Sequence, residues 1–169
     1  EKHVTQIATH FSGRLKSWDV VNEAFNEDGT YRDSDSIWYQ NIGAAFIEKA
    51  FIAADAVDSD AELYYNDFNI SWNEAKLDAI VAMAEDFQNR NIPIDGIGFQ
   101  MHISSTGPDQ TQFAKQLQKV VDLGLKVKIT ELDIRMNAGN SSTELTPGIA
   151  EIQKGRYFDI ISTYLETVP

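Results

Sequence analysis

Cysteine is absent from the 169 residues of this chain, which excludes disulfide bridges and thiolate metal sites and leaves the redox compartment undecided. Basic residues are few: 14 Lys and Arg stand against 26 Asp and Glu, a formal charge of −12. A surface of that sign is repelled by phosphate backbones and anionic bilayers, so neither nucleic acid nor membrane is an expected partner. No run approaches the roughly 20 apolar residues of a membrane span. The opening "EKHVTQIATHF" lacks the apolar segment of a signal peptide, so any export signal is expected to lie outside this sequence. There is no GxGxxG phosphate turn, because "GIGFQ" sits inside an apolar run. The acidic run "DAVDSDAE" lacks the ligand spacing and glycine of a calcium loop and reads as a helix end and turn. Neither metal nor cofactor is expected.

What is present suffices for one packed domain: 43% of the residues are hydrophobic, and short apolar runs alternate with amphipathic stretches. The periods predict helices over residues 3–12, 34–57, 73–91, 109–124 and 149–168. Strands are predicted over 14–22, 61–68, 94–103 and 126–134. The order αβαβαβαβα means a parallel sheet covered by helices, either doubly wound or a (β/α)8 barrel. A doubly wound nucleotide-binding protein is disfavoured by the missing phosphate loop.

Each predicted strand ends in polar groups: Asn22 and Glu23, Asn66 and Asp67, Gln100 and His102, Glu131 and Asp133. Active sites of (β/α)8 barrels lie at the C-terminal ends of the strands, so four strands delivering such groups to one rim read as a barrel mouth. Four is half of eight, and the chain reads as part of an α/β barrel, a (β/α)8 TIM barrel. Glu23 and Glu131, at the first and last of these strand ends, are a carboxylate pair suited to glycosidic bond cleavage. Asp133 follows Glu131 on the same expected strand face, and His102 is expected from the adjacent strand, where a histidine between two carboxylates orients both. Asn22 and Gln100 offer amides to sugar hydroxyls. Trp18, Tyr64, Tyr65, Phe68 and Trp72 are candidate faces for sugar rings. Trp18 and Trp38 fit packing better, and Trp72 fits either role. The glycan-acceptor triplets at Asn69 and Asn140 read as chance matches.

Together "WDVVNEAFNEDGTYRDS", "LYYNDFN", "GIGFQMH" and "ITELD" resemble the successive strand-end signatures of glycoside hydrolase family 10, the retaining endo-β-1,4-xylanases, and the resemblance runs through essentially the whole chain. It implies an enzyme acting on xylan or xylo-oligosaccharides, secreted or periplasmic, without a cofactor. It also implies Glu23 as acid/base, Glu131 as nucleophile and Asn22 on the 2-hydroxyl of the sugar that becomes covalently attached. Gln100 and His102 would hold the nucleophile and that sugar, Asn66 would belong to the same lining, and Asp133 would orient His102. The family often has tyrosine where Phe68 stands, which keeps a platform and loses its hydroxyl. Residues 1–169 would be a partial catalytic domain supplying about strands 4 to 7. The lysine, histidine and tryptophans that the family brings from other strands have no counterpart, so a second chain or missing segment would complete the barrel. A xylan-binding fragment with little or no activity is the alternative.

Overall fold

The structure, a computed structural model, describes residues 1–137 and 144–169; the Asn140 triplet lies outside the described residues. The elements are α1 Lys2–Phe11, β1 Ser17–Asn22, α2 Ile37–Ile42, α3 Ala45–Asp55, β2 Glu62–Asp67, α4 Glu74–Asn89, β3 Gly96–Phe99, β4 His102–Ser104, α5 Gln110–Asp122, β5 Lys126–Ile129, β6 Asp133–Arg135 and α6 Pro147–Thr167. Strands β1, β2, β3 and β5 pair in that order, all parallel. The short strands β4 and β6 form a second parallel pair. None of the described helices is long and apolar enough to cross a membrane.

Parallel strands covered by helices are apolar on both faces, and the two central strands obey this. Leu63 and Tyr65 of β2 and Ile97 and Phe99 of β3 are buried in one core with Phe51, Leu77, Ile80, Phe113 and Leu117 from α3, α4 and α5, while Tyr64 is buried on the opposite face of β2. The helices start where their caps say they should: Asn73 accepts from Lys76 N–H at 3.1 Å and Asp109 from Gln112 N–H at 2.8 Å. Pro147 enters α6 behind the cap Thr146, where its missing N–H costs nothing.

Three predicted elements are broken in two. The helix expected over 34–57 stops at Ile42 and restarts at Ala45, because Gly43 takes φ 74° at the C-cap of α2; glycine enters that left-handed region without steric cost. The strand expected over 94–103 becomes β3 and β4, turned at Met101 with φ 65°. The strand expected over 126–134 becomes β5 and β6, separated by Thr130, Glu131 and Leu132. Apolar periodicity sees neither turn, since Met101 is itself a core residue and Leu132 packs against the core.

Two expected aromatic platforms are also corrected. Tyr65 points into the core at 0% exposure, and Tyr64, at 3%, lies on the opposite face with the Lys128 ammonium 3.8 Å over its ring, so neither has a face to offer a sugar. Trp18 packs as expected: it is half-buried against Phe11, its Nε1 donating to Asp58 at 2.8 Å. Trp38 does so only in part, since it is 51% exposed beside His3.

Candidate active site

Backbone pairing continues one residue past β1 and β3 and two past β5, and the residues there carry the chemistry together with the end of β2. Glu23 N–H bonds Asn66 O at 3.0 Å, Gln100 N–H bonds Asp67 O at 3.1 Å and Glu131 N–H bonds Gln100 O at 3.1 Å. Backbone pairing therefore fixes Glu23, Asn66, Gln100 and Glu131 at one rim, as expected for the C-terminal ends of barrel strands.

Their side chains form one hydrogen-bonded set. Gln100 Nε2 donates to Glu23 Oε1 at 2.9 Å and to Asn22 Oδ1 at 3.1 Å. Asn66 Nδ2 donates to Asn22 Oδ1 at 3.0 Å and to Glu131 Oε1 at 3.1 Å. Thr130 Oγ1 fixes the other end of that amide by donating to Asn66 Oδ1 at 2.9 Å. Asn66 fits because its neighbour across the ladder is Gly98, where a Cβ would come within 2.4 Å of Asn66 Oδ1. The resemblance put Gln100 on Glu131, but its amide reaches Glu23 instead, and Asn66 is the amide on Glu131.

His102 lies between Asp133 and Glu131. The register of the second sheet sets His102 beside Asp133; Nδ1 bonds the Asp133 carboxylate, and Nε2 lies 3.2 Å from Glu131 Oε2. Glu131 is not on a strand with Asp133, as expected from sequence; it sits in the turn before β6. Both partners of the ring are acceptors, so only the imidazolium, with two N–H groups, satisfies both. The bond to Asp133 accordingly raises His102 above the ordinary histidine value of 6.5, with Glu131 adding to it. This pairing is fully present below 6.5 and is lost as pH rises through the raised value. A nitrogen-15 NMR titration is expected to find His102 titrating above 6.5 and Asp133→Asn to move it back down; a wild-type value at or below 6.5 contradicts this geometry.

Arg32 is a site residue that sequence reading missed. Its Nη1 is 3.2 Å from Glu23 Oε2. A turn closed by Asn26 N–H to Thr30 O at 2.7 Å and Arg32 N–H to Ala24 O at 2.9 Å brings it back onto Glu23. Its one sequence signal is its place inside the first motif, nine residues after Glu23.

Beside His102 and Asp133 opens a cavity of about 500 Å³ whose walls include Asn69, Trp72, Pro108, Gln112 and Arg135, within the size range of ligand sites. Trp72, 42% exposed, lines it and is therefore not core packing. Phe68 is half-buried, with the Lys76 ammonium 3.5 Å over its ring. The Asn69 side chain donates to Glu27 at 3.2 Å. Among the described residues no cluster of three or more His, Cys, Asp or Glu is arranged to hold a metal ion.

Comparison with known proteins gives a consistent result. A family model described as Glycosyl hydrolase family 10 matches residues 1–168. The endo-beta-1,4-xylanase Xyn10C of Cellvibrio japonicus is 45% identical over 182 residues, covering 100% of this chain and 30% of its own length. Endo-1,4-beta-xylanase B of Thermotoga neapolitana is 45% identical, covering 95% of this chain and 45% of its own. Among solved structures, native xylanase10C from Cellvibrio japonicus superposes with a TM-score of 0.93 at 44% identity, over 99% of this chain and 38% of that one. A mutant of that xylanase in complex with xylopentaose gives the same score, over 36% of its chain. The present chain thus spans between about a third and a half of these relatives, and its four parallel strands are an arc of their (β/α)8 barrel.

Proposed function

We infer the function of this chain from its membership: it belongs to glycosyl hydrolase family 10. We propose that residues 1–169 are one catalytic unit contributing the reaction centre of an endo-acting β-1,4-xylan hydrolase that works by double displacement with retention. Glu131 is the nucleophile and Glu23 the acid/base. The observation that carries this is the shared set of hydrogen bonds that aims both carboxylates at one rim through Asn22, Asn66 and Gln100.

In the first step a Glu131 oxygen attacks the anomeric carbon while Glu23, protonated, gives its proton to the departing glycosidic oxygen. The bond to the leaving sugar breaks and a sugar ester on Glu131 forms. Asn66 on one Glu131 oxygen and His102 on the other hold the carboxylate oriented until it reacts. In the second step Glu23, now a base, takes a proton from water as that water displaces Glu131, so the product keeps the β configuration. Asn22 Oδ1 is already bonded to two amides, which leaves its nitrogen for a sugar hydroxyl. The leaving sugars run past Phe68 into the cavity walled by Trp72. A polymeric substrate of this kind is met outside the cytoplasm, so we place the protein in a secreted or periplasmic setting.

The test is incubation of the full-length protein with xylan while viscosity and reducing ends are followed. Endo-hydrolysis lowers viscosity early, with few new ends. Binding to xylan with no new reducing ends would replace this reading with that of a binding fragment, which the chain's partial span of its relatives makes the second reading.

A further inference from the structure

Glu23 sits at φ 57°, a left-handed conformation that is sterically costly for a non-glycine residue and persists only where its surroundings impose it. What imposes it here is buried. Glu23 N–H is held by Asn66 O, and the next donor, Ala24 N–H, is held by the Tyr65 hydroxyl at 2.8 Å. Tyr65 donates in turn to Asp67 Oδ2 at 2.6 Å. Asp67 Oδ1 accepts from Phe68 N–H at 2.9 Å and pairs with the Lys76 ammonium, also at 2.9 Å. Lys76 reaches Glu27, in the loop after Glu23, at 3.3 Å. Tyr65, Asp67 and Lys76 are all 0% exposed.

A buried ion pair is a poor source of stability, because its desolvation cost is often no smaller than its attraction, and apolar side chains of similar volume do as well. What it supplies is direction: each buried atom must meet its partner at a fixed distance. We propose that Tyr65, Asp67 and Lys76 are positioning residues for Glu23, transmitting the fixed place of α4 to the backbone step at Glu23 and Ala24 and thereby setting how well the glutamate protonates a leaving oxygen. This rests on the reading of Glu23 as the acid/base. The network has two arms. One goes through Tyr65 to Ala24; the other goes through Asp67 and Lys76 to Phe68. Tyr65→Phe removes only the first, with the ring and its packing retained.

A misplaced acid harms only substrates that need a proton on departure. Glycosylation rates of the full-length protein are therefore to be measured on aryl xylobiosides from dinitrophenyl to phenyl, with Glu23→Ala alongside. Tyr65→Phe is expected to lose roughly 10- to 100-fold on the phenyl substrate and less than about threefold on the dinitrophenyl substrate, which needs little protonation. The double variant Asp67→Asn/Lys76→Met, which weakens the acceptor for Tyr65 and removes both buried charges together, shows the same selectivity and serves if Tyr65→Phe does not fold. Equal losses on both substrates, or no loss on either, while Glu23→Ala is selective, overturn the positioning role alone. A Glu23→Ala variant that shows no selectivity overturns the assignment of Glu23 and this inference with it.

Discussion

Glu131→Ala is expected to lower turnover by roughly 10⁴-fold or more on every substrate, whatever its leaving group, since the proposed first step forms its ester on Glu131 and every substrate must pass through it. Glu131→Gln is expected to do the same, because the amide keeps the shape of the site but lacks the charge and the nucleophilic oxygen, and only one of its two ends can still accept a hydrogen bond. The effect is all-inclusive for a physical reason: Asn66 and His102 hold the Glu131 oxygens in place, but neither can substitute for them. Steady-state kinetics on xylan and on a dinitrophenyl xylobioside decide this. A Glu131→Ala variant that keeps most of its activity on the activated substrate removes Glu131 from the nucleophile's role.

Glu23→Ala is expected to behave differently. Its loss should reach about 10²- to 10⁴-fold on xylan, the usual worth of general acid–base catalysis. It should be small for formation of the ester from substrates with very good leaving groups. The ester then accumulates, because the base that activates water is gone. Azide needs no base and fits the space the carboxylate left, so it should restore turnover of the activated substrate and yield a β-xylosyl azide. Azide rescue of Glu131→Ala with a β product instead, and none of Glu23→Ala, exchanges the two roles.

The strand-end residues were legible because each stands where an apolar run meets polar side chains: Asn22 and Glu23 after Val20 and Val21, Asn66 and Asp67 after Tyr64 and Tyr65. Pairing in register brings such ends to one rim, and a parallel, helix-covered sheet follows from the alternation of periods. The turns at Met101 and around Glu131 were not legible, because the apolar alternation of Phe99, Met101 and Ile103 and the run from Val127 to Ile134 continue through them, and at Met101 the break is made by a positive φ that no side-chain pattern announces. Nor were Tyr65 and Lys76. A tyrosine in "LYYND" and a lysine on an amphipathic helix ordinarily read as a half-buried ring and a solvated charge. They are buried because Asp67 takes both the hydroxyl and the ammonium, a three-way contact between strand and helix that no spacing encodes. Gln100 was placed in the site but on the other glutamate; the ladder sets its backbone between Asp67 and Glu131, yet its side-chain amide reaches across β2 to Asn22 and Glu23, a direction that sequence spacing does not encode.

The central claim is that Glu131 forms a covalent bond to the sugar. A xylobioside with fluorine in place of the 2-hydroxyl of the reacting sugar and dinitrophenolate as its leaving group slows both steps, while the activated departure keeps the first one feasible, so an ester of the double-displacement kind accumulates. The full-length protein is to be incubated with this compound, digested and analysed by mass spectrometry. The account predicts one sugar per protein, attached to the peptide that carries Glu131 and released on adding an acceptor sugar. A label on Glu23, or an active protein that never acquires a label, would contradict it.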